Sequence, residues 1–166
     1  MLRALTNKEM EMAQAGIGTN VICQIAVVVR DVERAAKRYA EIFGLEVPSS
    51  ILTAPKEETN IRYRGQSTDA RAKLAFLQMG PQLNIELIEP VGGPSVWQEH
   101  LDSRGEGVHH IAFRVKGMDE VLAYLDGEGL PTVQRGDFTG GQYAYIDSAA
   151  DLGVMLELLA STSGDA

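Results

Sequence analysis

Apolar residues along this chain recur with two periods, and the order in which those periods follow one another is written twice. Val21–Val29 is rich in β-branched residues and predicts a strand. Asp31 then stands as an N-cap before Val32, Ala35, Ala36, Tyr39, Ile42 and Phe43, which are apolar at helical spacing, and Gly44 is placed to end that helix. Val108–Val115 predicts a second strand. Met118, Val121, Leu122 and Leu125 carry a second helical stripe, and Gly129 stops it. Three strand candidates follow each helix: Asn60–Arg64, Lys73–Met79 and Leu83–Ile88 in the first half, Thr132–Arg135, Gln142–Ile146 and Val154–Leu159 in the second. Each half therefore reads as βαβββ. One such unit leaves an apolar sheet face uncovered, so pairing two of them buries it. The pattern divides the chain into an N-terminal extension over 1–19 and one domain over 20–166, with a first module at about 20–92 and a second at about 106–160. Within the extension, Thr6-Asn7-Lys8-Glu9 has the form of a capping box and predicts a short helix.

The repeat duplicates its polar exceptions along with its apolar core. Gln24-Ile25-Ala26-Val27-Val28-Val29 returns as His110-Ile111-Ala112-Phe113-Arg114-Val115, and each half closes on an apolar strand interrupted by a carboxylate, Glu86 or Glu157. Strand alternation puts Gln24 and His110 on equivalent faces, each followed two residues on by a small alanine that leaves room. A lone carboxylate on a buried face costs several kcal/mol unless it is paired or binds a metal. Gln24, Glu86, His110 and Glu157 are thus a candidate ligand set for one divalent cation. One imidazole nitrogen and three oxygens suit Mn²⁺, Co²⁺, Ni²⁺, Mg²⁺ or Zn²⁺, with positions left for water or substrate. By the same alternation Cys23 faces away from Gln24, and His109 leaves the strand on the face opposite His110.

Composition narrows the picture. The 166 residues suffice for one domain with a full core, and the net charge of −8 argues against nucleic-acid partners. No apolar run is long enough to span a bilayer, and the first residues lack the apolar stretch of a secretory signal. The single cysteine, Cys23, excludes an internal disulfide and fits a cytoplasmic location. The halves differ in length: 62 positions separate Gln24 from Glu86, while 47 separate His110 from Glu157. The extra residues fall mainly between Pro48 and Lys73. That stretch carries Lys56, Arg62, Arg64, Arg71 and Lys73, a local basic excess in an acidic chain and a candidate functional loop.

Gly105-Glu106-Gly107-Val108-His109-His110-Ile111-Ala112-Phe113 resembles the opening of the second module in methylmalonyl-CoA epimerases. Glu86-Leu87-Ile88-Glu89-Pro90 is similar to the end of their first module, and Asp147 with Leu152-Gly153-Val154-Met155-Leu156-Glu157-Leu158 is similar to their last strand. Residues 21–160 as a whole resemble the vicinal oxygen chelate superfamily, which includes glyoxalase I, extradiol dioxygenases and bleomycin-resistance proteins. The resemblance implies an α+β fold in which two paired βαβββ modules form a curved, half-open mixed β-sheet barrel around a metal, with ligands at Gln24, Glu86, His110 and Glu157. A homodimer is expected on the same ground.

The resemblance also implies chemistry. Metal-assisted removal of a proton next to a carbonyl is expected, with Glu157 as proton shuttle and labile ligand. By alignment back from Gly80, Asp69 takes the place of a second catalytic carboxylate in the epimerases, with Glu86 as the other candidate. Arg62, Arg64, Arg71 and Lys73 are then expected to meet a substrate carboxylate or the phosphates of an acyl-CoA. The surrounding sequence leans toward a methylmalonyl-CoA epimerase-like enzyme. Gln24 and Glu86 lean toward a glyoxalase I-type lyase acting on a hemithioacetal, although Val28 stands where glyoxalase I usually has an arginine. A small-molecule binding or resistance protein without turnover is the alternative from another class. An extradiol dioxygenase is disfavoured because the set holds one histidine rather than two.

Overall fold

In the computed structural model, which describes residues 16–162, both modules contribute to one mixed sheet of ten strands curled into a half-barrel. The elements run β1 (Ile22–Val28), α1 (Val32–Phe43), β2 (Ile51–Leu52), α2 (Lys56–Thr59), β3 (Arg62–Tyr63), β4 (Gln66–Ser67), β5 (Arg71–Gln78), β6 (Asn84–Val91), α3 (Val96–Arg104), β7 (Gly107–Arg114), α4 (Met118–Gly127), β8 (Thr132–Phe138), β9 (Gly141–Ile146), α5 (Ala149–Leu152) and β10 (Met155–Ser161). The capping box at Thr6 lies outside the described residues. The sheet order is β2-β5-β6-β1-β7-β10-β9-β8-β3-β4. Its centre is the antiparallel pair β1 and β7, and each of these has a parallel partner on its outer side, β6 or β10. The two modules therefore repeat the same pairing on either side of that central pair.

The first helix forms where the pattern predicts it. Asp31 has extended backbone and its carboxylate accepts the Arg34 amide at 2.9 Å. Gly44 closes the other end at φ 66, where a side chain would be strained, and donates its amide to the Ala40 carbonyl. Val32, Ala36 and Ala40 turn inward to Ala75, Leu77 and Leu87 of the sheet. Met118, Val121 and Leu125 of α4 do the same against Ala144, Ile146 and Leu158. A third cluster, with Ala26, Ile61, Val96, Trp97 and Tyr145, gathers residues from both modules.

Two segments depart from the sequence expectation. The second strand of the first module is Ile51–Leu52, which pairs with β5; the expected strand at 60–64 is reduced to Arg62–Tyr63 and pairs with β8 of the other module. The left-handed turn at Asn60 carries the chain across, Asn60 Nδ2 donates to Asp137 Oδ2 at 2.7 Å, and the Arg64 amide donates to the Val133 carbonyl at 2.8 Å. The insertion thus extends the far edge of the second module. The connector between modules also contains a helix, α3, whose first turn is capped by Ser95 and buries Val96 and Trp97. Its residues lack a clear apolar stripe, so helical periodicity does not reveal it.

Candidate metal centre

Strand register explains how four polar side chains meet inside an apolar sheet. Ala26 lies opposite Glu86 on one side and His110 on the other; Ala112 lies opposite Gln24 and Glu157. The same exchange of partners on four adjacent strands is what the duplicated motif encodes. Both alanines are fully buried and leave space that larger residues would fill.

The result is a compact polar cluster. His110 Nε2 lies 3.1 Å from Glu157 Oε2 and 3.6 Å from Glu86 Oε2. All three atoms are buried without a hydrogen-bond partner among the described residues. One ligand atom from each residue falls within 4.8 Å of the others, the spacing around a single ion. Gln24 is buried beside them, lines the same cavity as Glu86 and Glu157, and donates from Nε2 to Asn84 Oδ1 at 3.1 Å. That bond leaves its side-chain oxygen as the acceptor for another partner. Three orphaned buried atoms of this kind are costly as they stand and are matched by a divalent cation, so the residues fit the metal that the fold family implies.

Burial dominates the electrostatics. It pushes the Glu157 carboxyl up to about 8. Burial, then the neighbouring Glu157 charge, raises Glu86 well above the carboxylate range. Burial also lowers His110 to about 3, so its ring is neutral at ordinary pH. Trp97 Nε1 donates to the Tyr145 hydroxyl at 3.0 Å, and the Tyr145 ring lies 4.9 Å from that of His110. The cluster opens into a cavity of about 600 Å³ with a largely apolar wall that includes Ile51, Leu52, Leu74, Phe76 and Trp97.

The other expected site residues are elsewhere. Asp69 is 77 % exposed and its carboxylate meets Lys56 at 2.7 Å. Arg62 donates to the Gly65 carbonyl, Arg64 pairs with Glu99 at 3.1 Å, Arg71 donates to the Thr53 carbonyl at 2.7 Å, and Lys73 pairs with Glu89 at 3.1 Å. None of these five side chains lines the cavity. The basic residue that does is Arg114, which is exposed and makes no ion pair among the described residues. Alternation along β7 places 110, 112 and 114 on one face, so Arg114 was readable from the strand; it is the repeat equivalent of Val28.

His109 overturns its sequence reading. The register between β1 and β7 steps from Ala26↔His110 to Val27↔Val108, so His109 is an extra residue in β7. Such a bulge re-aims its side chain. Its ring accordingly lies 5.5 Å from Tyr145, the same ring that His110 contacts, and 5.1 Å from His110. A matching step isolates Cys23 in β1, where its thiol donates to the Ala112 carbonyl. Each bulge immediately precedes a candidate ligand, Gln24 or His110.

Residues 23–146 match the family described as Glyoxalase/Bleomycin resistance protein/Dioxygenase superfamily. A 2-epi-5-epi-valiolone epimerase from Actinomyces sp is 26 % identical over 154 residues, covering 89 % of this chain and 82 % of the relative. Among solved structures, methylmalonyl-CoA epimerase in complex with methylmalonyl-CoA and NH4+ superposes with a TM-score of 0.62 at 23 % identity, covering 87 % of this chain and 96 % of that one. Methylmalonyl-CoA epimerase from Mycobacterium tuberculosis gives 0.58 at 23 % identity, covering 85 % and 87 %. At these identities the structural likenesses establish the fold.

Proposed function

The chain belongs to the Glyoxalase/Bleomycin resistance protein/Dioxygenase superfamily, and from that premise we propose a divalent-metal epimerase that moves a proton at the carbon next to a carbonyl. The observation that carries this reading is the convergence of three buried ligand atoms, from Glu86, His110 and Glu157, that have no hydrogen-bond partner among the described residues, beside a cavity that Glu86 and Glu157 line. With Gln24 they would hold a cation that supplies Lewis-acid stabilisation of the charge developing as the proton leaves. We assign Glu157 the task of taking and returning the proton, because it is a carboxylate beside the proposed cation that also lines the cavity. Glu86, also on the cavity wall, is our candidate for the carboxylate that serves the other face of the reacting carbon. Asp69, exposed and paired with Lys56, stays outside this proton path.

The cavity wall also bears on the substrate. Its apolar and aromatic surface excludes water from the reacting carbon. Arg114 offers one cation to one anionic group, whereas the basic residues of the insertion are engaged outside it. This favours a compact carbonyl compound, neutral or with a single acidic group at the cavity, over recognition through a cluster of cations. The epimerase names of the Actinomyces relative and of the solved neighbours support the reaction class.

Metal-reconstituted protein incubated in deuterated water with 2-epi-5-epi-valiolone or with methylmalonyl-CoA tests the reading. Incorporation of α-deuterium, followed by NMR, is the expected result with at least one of them. Absence of exchange with either, in protein carrying stoichiometric metal, counts against it. Gln24 and Glu86 favour one second reading, the glyoxalase-type conversion of a hemithioacetal, which shares the same proton transfer. Val28, fully buried at the position of the usual arginine, offers glutathione no contact. Formation of the thioester from methylglyoxal and glutathione would identify that activity.

A further inference from the structure

We propose that His109 is a positioning residue that holds His110 in the tautomer protonated on Nδ1, leaving Nε2 free for a cation beside Glu86 and Glu157. The inference rests on the metal-enzyme reading above and adds a residue that alternation alone sends to the wrong face. The bulge in β7 turns the His109 ring to the side of His110, where the two Nδ1 atoms lie 2.8 Å apart. A contact this short between two imidazole nitrogens is a hydrogen bond carrying one proton.

That proton has two possible owners. If His109 owned it, a neutral His110 would carry its own proton on Nε2, aimed at Glu157 Oε2, and the nitrogen facing the carboxylates would be closed to a cation. If His110 owns it, Nε2 presents a lone pair to the cluster, and His109 is an acceptor protonated on its own Nε2. His109 Nε2 is itself buried and has no hydrogen-bond partner among the described residues, so the 2.8 Å contact at Nδ1 is the one polar contact of this ring there. Packing then fixes the acceptor in place. The His109 ring is buried and meets the rings of His100 at 5.2 Å and Tyr145 at 5.5 Å. Histidines that bind metals commonly donate their second nitrogen to a partner that sets ring orientation and basicity, and loss of the partner weakens binding. Here the partner is the preceding residue, reachable because the strand carries one extra position.

The test compares wild type with His109→Leu, which removes the acceptor, and His109→Asn, whose side-chain oxygen stands near the place of Nδ1. Side-chain ¹⁵N NMR of the metal-free proteins reads the His110 tautomer; calorimetric titration with Mn²⁺ reads affinity. The expected result is an Nδ1–H tautomer in wild type, Mn²⁺ affinity about 10- to 100-fold weaker in His109→Leu, and most of that loss recovered in His109→Asn. An Nε2–H tautomer in wild type overturns the proposal. So does a folded His109→Leu protein that binds Mn²⁺ as tightly as wild type, or a His109→Asn protein no better than a folded His109→Leu. Should His109→Leu fail to fold, the wild-type tautomer and the His109→Asn affinity still decide. A wild type that shows the Nδ1–H tautomer yet binds neither Mn²⁺ nor Co²⁺ sinks the metal-enzyme reading while leaving the His109 contact standing.

Discussion

Nε2 of His110 stands 3.1 Å from Oε2 of Glu157, and both atoms are buried with no hydrogen-bond partner among the described residues. At ordinary pH the imidazole is neutral, so the pair is not an ion pair that stabilises itself. The arrangement is better matched to a third party that accepts electron pairs from both. Glu86 Oε2, 3.6 Å from the same nitrogen, adds another such donor.

Stoichiometric metal binding with a stability gain follows. Saturating Mn²⁺ or Co²⁺ is expected to raise the melting temperature, by an amount equivalent to about 2.7 kcal/mol at a hundredfold excess over the dissociation constant. A chelator should reverse the gain. His110→Ala should lose bound metal in elemental analysis, and retention at one ion per chain would remove the ligand assignment.

The metal-free protein should lose stability as pH rises from about 7.5 through about 8. Glu157 and Glu86 have folded pKa values raised by burial above the ordinary 4.5, so the native state holds protons there that the unfolded chain has released. Stability then falls with pH, by roughly 1.4 kcal/mol per pH unit for each such proton. His110, His109 and His100 have pKa values lowered by burial below the ordinary 6.5, so their contributions rise with pH and are complete only by about 7.5. Below that pH the two effects oppose, and above it only the carboxylates act. Denaturant melts in chelator check the slope. Saturating metal should flatten or invert it, because the cation binds the ionised carboxylates.

The duplicated motif was legible because it rests on local physics. Alternation along a strand and a helical stripe between a cap and a glycine are properties of neighbouring residues, and α1 forms from Val32 to Phe43 as its pattern predicts. The small residues Ala26 and Ala112, read as leaving room, prove to be the shared neighbours of all four polar groups. Register is a property of two strands at once, so alternation alone does not reveal the bulge at His109 and sends its side chain to the wrong face. The partner of Arg62–Tyr63 lies in the other module, beyond any local signal. The basic excess of the insertion was visible as composition, but its nearest acidic partners, among them Glu89 and Glu99, come from segments that only the fold brings close.

Glu157→Gln separates proton transfer from ligation. The amide keeps an oxygen for a metal but cannot take a proton at neutral pH. Metal should remain bound, while α-deuterium exchange falls by about 10²- to 10⁴-fold. Exchange at the wild-type rate in a metal-loaded Glu157→Gln protein would transfer the role to another group, with Glu86→Gln the next variant to measure.

Arg114→Ala is expected to alter substrate recognition without unfolding the protein. The side chain is exposed and has no ion pair among the described residues, so its removal should change stability by no more than about 0.5 kcal/mol. A substrate whose anionic group meets the guanidinium would lose a hydrogen bond to a charge, about 1.5–3 kcal/mol, which is about a 10- to 100-fold rise in KM. A neutral substrate would show no such rise, so the ratio of the two reports the contact rather than a general disturbance. The Arg114 charge also holds the Glu157 carboxyl below the value that burial alone would set. Its loss should therefore raise that pKa and move the acid limb of the kcat profile to higher pH, even with a neutral substrate. A variant with unchanged KM for anionic substrates and an unmoved acid limb would remove Arg114 from the site.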